Sequence, residues 1–153
     1  MYKIIFILSI FVSSSVFANT FQVADKIDTL TLENQFEQKQ TLDINTKLVI
    51  YTVEKKASDL VKEALKKIPE GYFLKNNIIY IADISNMPGF ISRFIAIPAM
   101  KERNYPIMLD SNGTVSAKFP AKEEKITLIY LNLLNIIDIK FVDTLEEIQQ
   151  SLL

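Results

Sequence analysis

The chain contains no cysteine, no histidine and no tryptophan, and it has only three glycines among its 153 residues. Without cysteine there is no disulfide and no thiol nucleophile. Without histidine or cysteine the usual zinc and haem ligand sets disappear, and with them every His-centred catalytic triad. The glycines stand at positions 71, 89 and 113, too scattered to form a phosphate-cradling loop. No excess of charge exists either: 17 basic and 18 acidic side chains leave a net charge of −1. A broad phosphate-binding surface is therefore absent, and nucleic acid is not expected as a partner. No metal site and no cofactor are expected. What remains is 49% hydrophobic and 10% aromatic, which suits one globular domain. A domain of this size buries roughly two-thirds of its unfolded surface, enough to dispense with covalent staples.

The amino terminus reads as an export signal. Lys3 and the α-amino group form a positive start, residues 4–12 are an apolar stretch, and Val16, Phe17 and Ala18 precede Asn19 as a cleavage site. The 15 uncharged residues 4–18 fall short of the ~20 needed to cross a bilayer. The expectation is a signal peptide over residues 1–18 and a single domain over 19–153. The product would be periplasmic or secreted, with no stable membrane anchor.

Hydrophobic periodicity supplies the element order. Residues 29–33 and 41–44 alternate, and the stretch 34–40 between them is polar apart from Phe36, a β-hairpin pattern. Residues 48–53 and 78–84 are continuous apolar runs, as in strands covered on both faces. Ala57, Leu60, Val61, Ala64, Leu65 and Ile68 mark a helix between them, ended by Pro69 and Gly71. A second helix is expected after Pro88, with Met87, Phe90, Ile91, Phe94 and Ile95 as its inward stripe. Residues 106–109 form a short strand, and Asp110 to Gly113 a turn. Residues 126–131 are another covered strand. A half-exposed strand follows, in which Ile137, Ile139 and Phe141 alternate with Asp138 and Lys140. Thr144 and Glu147 form a capping box for a last helix whose inner stripe is Leu145, Ile148 and Leu152.

This order, with the motif Tyr105-Pro106-Ile107-Met108-Leu109-Asp110-Ser111-Asn112-Gly113 and the capped helix from Thr144, resembles the thioredoxin-like superfamily. The nearer resemblance is to small periplasmic proteins of the YtfJ type. The likeness implies an α/β fold: a thioredoxin-like three-layer α/β/α arrangement with a mixed sheet and an N-terminal β-hairpin. Redox-active relatives place a thiol after the first central strand, at a helix N-terminus that lowers its pKa. Here that stretch, residues 53–59, is Val-Glu-Lys-Lys-Ala-Ser-Asp, and Lys125 stands where a thioredoxin carries its proline. Thiol–disulfide exchange and thiol peroxidase activity are excluded by composition.

Four groups remain to be weighed as candidates. Asp83, Ser85 and Asn86 follow a parallel strand at the edge where open α/β sheets take ligands, and could hold a small polar ligand or serve a non-thiol enzyme. Equally, Ser85 or Asn86 could cap the next helix, with Asp83 complementing its dipole. Asp110, Asn112 and Thr114 resemble the start of a calcium loop, but the glycine and the twelfth-position glutamate are misplaced, which favours a turn. Glu123 and Glu124 fit a solvated loop. The segment 87–100 carries one charge, Arg93, among many apolar residues. Around the bend at Pro98, Ile97 and Met100 are either part of a second short buried helix under the C-terminal hairpin or an outward surface for a protein or peptide partner.

Overall fold

The computed structural model describes residues 20–152, so the expected signal peptide lies outside the described residues. No helix among those described is long and apolar enough to cross a membrane.

The hairpin consists of β1 (Leu30–Glu33) and β2 (Lys39–Leu42), paired antiparallel. The Asn34 N–H donates to Gln38 O at 2.9 Å, and the Glu37 N–H to Asn34 O at 2.9 Å. Glu37 has φ +62°, so this is the three-residue loop whose last member is left-handed. The inward series stops at Leu42, and Ile44 is exposed. Within the loop, apolar Phe36 faces solvent while Gln35 is wholly buried. Gln35 Nε2 donates to Tyr105 O at 2.8 Å and its Oε1 accepts the Ile107 N–H at 2.7 Å. A buried amide is tolerated because both its ends are paired.

The main sheet runs β5-β4-β3-β6-β7. Strands β3 (Leu48–Thr52), β4 (Ile78–Asp83) and β5 (Met108–Asp110) are parallel. Strands β6 (Ile126–Asn132) and β7 (Asn135–Val142) join them antiparallel. Both faces are covered, so β3 is buried throughout. Leu48, Ile50, Ile78 and Tyr80 point to the helical face, where Ala57, Val61 and Leu65 pack with Ile148 and Leu152. Val49, Tyr51, Ile79, Ile81 and Met108 point to the other face, covered by Leu42, Ile27 and Phe119 from the hairpin and the flanking chain. At roughly 1.5–3 kcal/mol per buried aliphatic or aromatic side chain, these two clusters are the main stabilising term.

Helix α1 (Lys55–Ala64) ends earlier than its stripe suggests, capped at Leu65, and the Ile68 N–H closes a turn on Leu65 O at 3.1 Å just before Pro69. A short α2 (Tyr72–Asn76), absent from the periodicity, begins after Gly71 and ends on left-handed Asn77. It exists to bury Phe73, which stacks on Tyr105 with ring centroids 5.2 Å apart. A bulge between Tyr130 and Leu131 leaves Ile137 without a partner in the ladder and turns it to solvent, while Ile136 and Val142 are the residues buried. The last helix, α5 (Leu145–Leu152), carries the expected capping box: Thr144 Oγ1 donates to Glu147 Oε2 at 2.8 Å and accepts the Glu147 N–H at 3.3 Å.

The segment after β4 departs most from expectation. It comprises α3 (Gly89–Ile91), a π-helical turn (Ser92–Ala96) and α4 (Ile97–Lys101). Phe90, Ile91, Phe94 and Ile95 are 68%, 37%, 61% and 55% exposed, whereas Met87, Ile97 and Met100 pack against the helical-face core. Met87 is inward as expected, but the rest of the expected inward stripe is outward, and Ile97 and Met100 take the buried of their two readings. Pro98 has no N–H to offer Phe94 and crowds the turn before it. The chain widens into a π-turn, whose longer ring rotates the faces on either side of Pro98 relative to one another.

Candidate functional site

The parallel strands β3, β4 and β5 bring two polar clusters to their carboxyl ends, one on each face of the sheet. On the hairpin side, Asp83 and Asp110 are register neighbours. Asp83 Oδ1 accepts the Ser85 N–H at 2.8 Å, which closes a local turn. Asn86 is exposed. Neither Ser85 nor Asn86 caps the helix that follows, since Pro88 occupies the cap position and no side chain bonds there; the capping expectation is corrected. Asp110 is buried, and its Oδ2 accepts the N–H groups of Val115 at 3.0 Å and Ser116 at 2.7 Å. The carboxylate is thus committed to its own loop, which is the turn reading of that motif. Gly113 has φ +68°, and a Cβ there would lie 2.9 Å from Ser85 Oγ, so the two loops meet at this glycine.

Tyr51 ends beside these carboxylates. Burial, with the negative charges of Asp83 and Asp110 added, pushes its phenol up to about 12, so it stays an O–H donor; the distance to Ser116 O is 3.5 Å. Among the described residues no group of three acidic side chains is placed to hold a metal ion.

On the helical side, at the start of α1, three hydroxyls meet. Thr52 Oγ1 lies 2.9 Å from Ser58 Oγ and 3.0 Å from the Tyr80 hydroxyl, which is 3.3 Å from Ser58 Oγ. A nucleophilic hydroxyl needs an adjacent base, and within this trio each hydroxyl is answered only by another. Burial raises the Tyr80 phenol as well. The trio ties α1 to two strands.

Beyond these clusters lies the apolar face of α3 and the π-turn. Phe90 and Phe94 rest on one another with centroids 5.1 Å apart, and the Arg93 guanidinium lies 5.7 Å from the Phe94 ring. The partner-surface candidates from sequence, Ile97 and Met100, are half-buried beneath this patch rather than on it. Thr52, Ser58 and Tyr80 escaped sequence reasoning. The signal was present in two hydroxyls within otherwise apolar strands, but nothing local shows that they meet.

No protein-family model and no curated protein matches the chain. Solved structures do match by shape. Peroxidoxin BcpB from Mycobacterium tuberculosis is 14% identical with a TM-score of 0.53, covering 85% of this chain and 94% of that one. The thioredoxin domain of a thiol-disulfide oxidoreductase from Bacteroides vulgatus is 11% identical with a TM-score of 0.54, covering 88% and 100%. A peroxiredoxin-like protein from Aquifex aeolicus is 10% identical with a TM-score of 0.52, covering 87% and 86%. Likeness at this identity speaks to architecture alone, and on it, with the mixed sheet and its strand order, this chain has the thioredoxin-like fold.

Proposed function

We propose that this is an exported, non-catalytic thioredoxin-like domain, of the kind seen in YtfJ-type proteins, that binds a protein or peptide partner. The observation that carries the reading is the exposed patch of Phe90, Ile91, Phe94 and Ile95. Four large apolar side chains from one short segment are costly to leave in water and are the usual mark of an interaction surface. Arg93 is the one charge within that segment, so the partner presents apolar side chains with a carboxylate beside them. The missing thiol supports the non-catalytic part. The alternative, a small ligand held by Asp83, Ser85 and Asn86, is weaker, because Asp83 already serves the Ser85 backbone.

The test places a photo-crosslinking residue at Phe94 in the producing cell and identifies the adduct by mass spectrometry, with N-terminal sequencing of the same protein. The reading expects one recurrent adduct to another polypeptide, lost in Phe90→Ser, and a chain beginning at Asn19. Adducts only to itself, no adduct, or Met1 retained in membranes would each overturn the corresponding part.

A further inference from the structure

A cleft of about 780 Å³ lies at the opposite end of the parallel strands, where ligands are not expected in this class of sheet. One wall is β2 and its flanking turns, the other α2 with Arg103 to Pro106, and Ile78 and Ile79 lie between them. It shares no residue with the Phe90 patch. Its wall is a free strand edge: among the described residues β2 pairs only with β1.

The pairing phase shows which groups on that edge are free. The Asn34 N–H bonds to Gln38 O, so the pairs Leu32–Gln40 and Leu30–Leu42 are the hydrogen-bonded ones. Thr31 and Thr41 then form a close, non-hydrogen-bonded pair, in agreement with the 2.8 Å between their hydroxyls. Lys39 and Thr41 therefore turn their N–H and C=O groups away from β1, into the cleft. A four-residue edge with a lysine is also a common way to discourage pairing. A second observation argues against protection alone. Gln40, on the inward face of β2, has a buried Oε1 with no hydrogen-bond partner, and such an acceptor is costly to bury unmade.

The geometry points to a binding site for an extended peptide that adds to β2 as a third strand and donates a side-chain hydroxyl or amide to Gln40 Oε1. This is strand addition, in which main-chain bonds supply affinity and alternate side chains supply selectivity. Charge sets the direction. Lys39 and Arg103 make no ion pair among the described residues, and they lie at one end of the cleft, where Gln35 ties the hairpin tip to Tyr105. Asp43 lies at the other end, close to where Lys47 donates to Asn77 O, and its Oδ1 accepts the Asn45 N–H at 2.8 Å. Unlike a neutral ligand group, a basic side chain needs only the remaining charge and the second oxygen, whose bond to Asn45 Nδ2 is long at 3.4 Å. An antiparallel peptide then carries a basic side chain opposite Asp43 and, four residues later, an acidic one opposite Lys39. The residue before that acid faces Gln40. Exposed Phe36 and Leu74 at the rim are free to meet apolar side chains.

The test uses the ¹⁵N-labelled protein and a capped seven-residue peptide, Val-Lys-Val-Thr-Thr-Glu-Val, titrated to millimolar concentration by NMR. Expected are shifts at Lys39, Thr41, the Gln40 side chain and Arg103, with at least tenfold slower amide exchange at Lys39 and Thr41. Methylating the peptide nitrogens of its fourth and sixth residues, which keeps every side chain, abolishes binding. Exchanging its Lys and Glu, changing its fifth residue to Val, or making Gln40→Leu in the protein each weakens binding at least tenfold. The idea is overturned if no shift appears, if the methylated peptide binds equally, or if Gln40→Leu binds unchanged. Shifts at this edge that depend on protein concentration without peptide would mean that a second copy is the occupant, and would also overturn it. Phe90→Ser leaves this binding intact, so its outcome is independent of the function proposed above.

Discussion

Gln35 offers the sharpest test of how this fold is held. It is fully buried in a hairpin loop whose apolar residue, Phe36, is outside. Replacing it by Met keeps the volume and removes the polar ends. Two well-made bonds are lost, at 2.8 Å to Tyr105 O and 2.7 Å from the Ile107 N–H; the third, 3.4 Å to Met100 O, is too long to count for much. Both backbone groups are left buried without partners. At about 1–3 kcal/mol each, Gln35→Met should cost about 4 kcal/mol. With a urea slope of about 2 kcal/mol per molar, the midpoint falls by roughly 2 M. Gln35→Glu provides the control. At neutral pH it buries a carboxylate that cannot donate to Tyr105 O. When protonated by acid it regains one donor and one acceptor, so its deficit relative to the wild type narrows at low pH. A Met variant within about 0.5 M of the wild-type midpoint, or a Glu variant that shows no such recovery, would refute the view that this amide joins the hairpin to the chain leading into β5.

Tyr51, Tyr80 and Tyr105 all have phenols raised chiefly by burial, Tyr51 to about 12. Their neutral forms are favoured in the fold, so stability is complete below the ordinary value near 10. It falls as pH rises above that value, because the unfolded chain then releases protons that the fold retains. Between the ordinary value and the folded one, a phenol such as Tyr51 removes at most about 1.4 kcal/mol per pH unit, and Tyr51→Phe should lessen the slope of urea unfolding between pH 10 and 11.5. The packing around Pro98 predicts that Met100→Ser costs about 2 kcal/mol or more through lost burial, whereas Phe94→Ser stays within roughly 1 kcal/mol; equal losses in thermal unfolding would contradict the exposure of the patch. Thr144→Ala should lower stability by about 1 kcal/mol by breaking the capping box, and amide exchange should quicken first in the opening turn of α5.

The order of strands and helices was legible because each element writes its own period. Continuous apolar runs at β3, β4 and β6 need no knowledge of the neighbouring chain to declare burial on two sides, and the 3.6-residue spacing of α1 declares one face. Caps are equally local, so Thr144 and Glu147 were readable from their separation. The candidate loop carrying Asp83, Ser85 and Asn86 was placed correctly at a strand end, but its bonds were not, since Asp83 turned to the Ser85 backbone instead of leaving a cap to Ser85 or Asn86. Three features required the folded chain. The hydroxyl trio of Thr52, Ser58 and Tyr80 joins residues from three elements. Gln35 is buried only because the chain leading into β5 brings the Tyr105 C=O and the Ile107 N–H beside it. The faces of the segment 87–101 depend on a π-turn that accommodates Pro98 against the core, and a wheel drawn at constant pitch misassigns most of the inward stripe. What the amino-acid order determined alone was the set of elements, because hydrophobic period and capping act over a few residues. What tertiary structure decided was which polar groups are satisfied and which apolar groups stay in water, because those depend on partners distant in the chain.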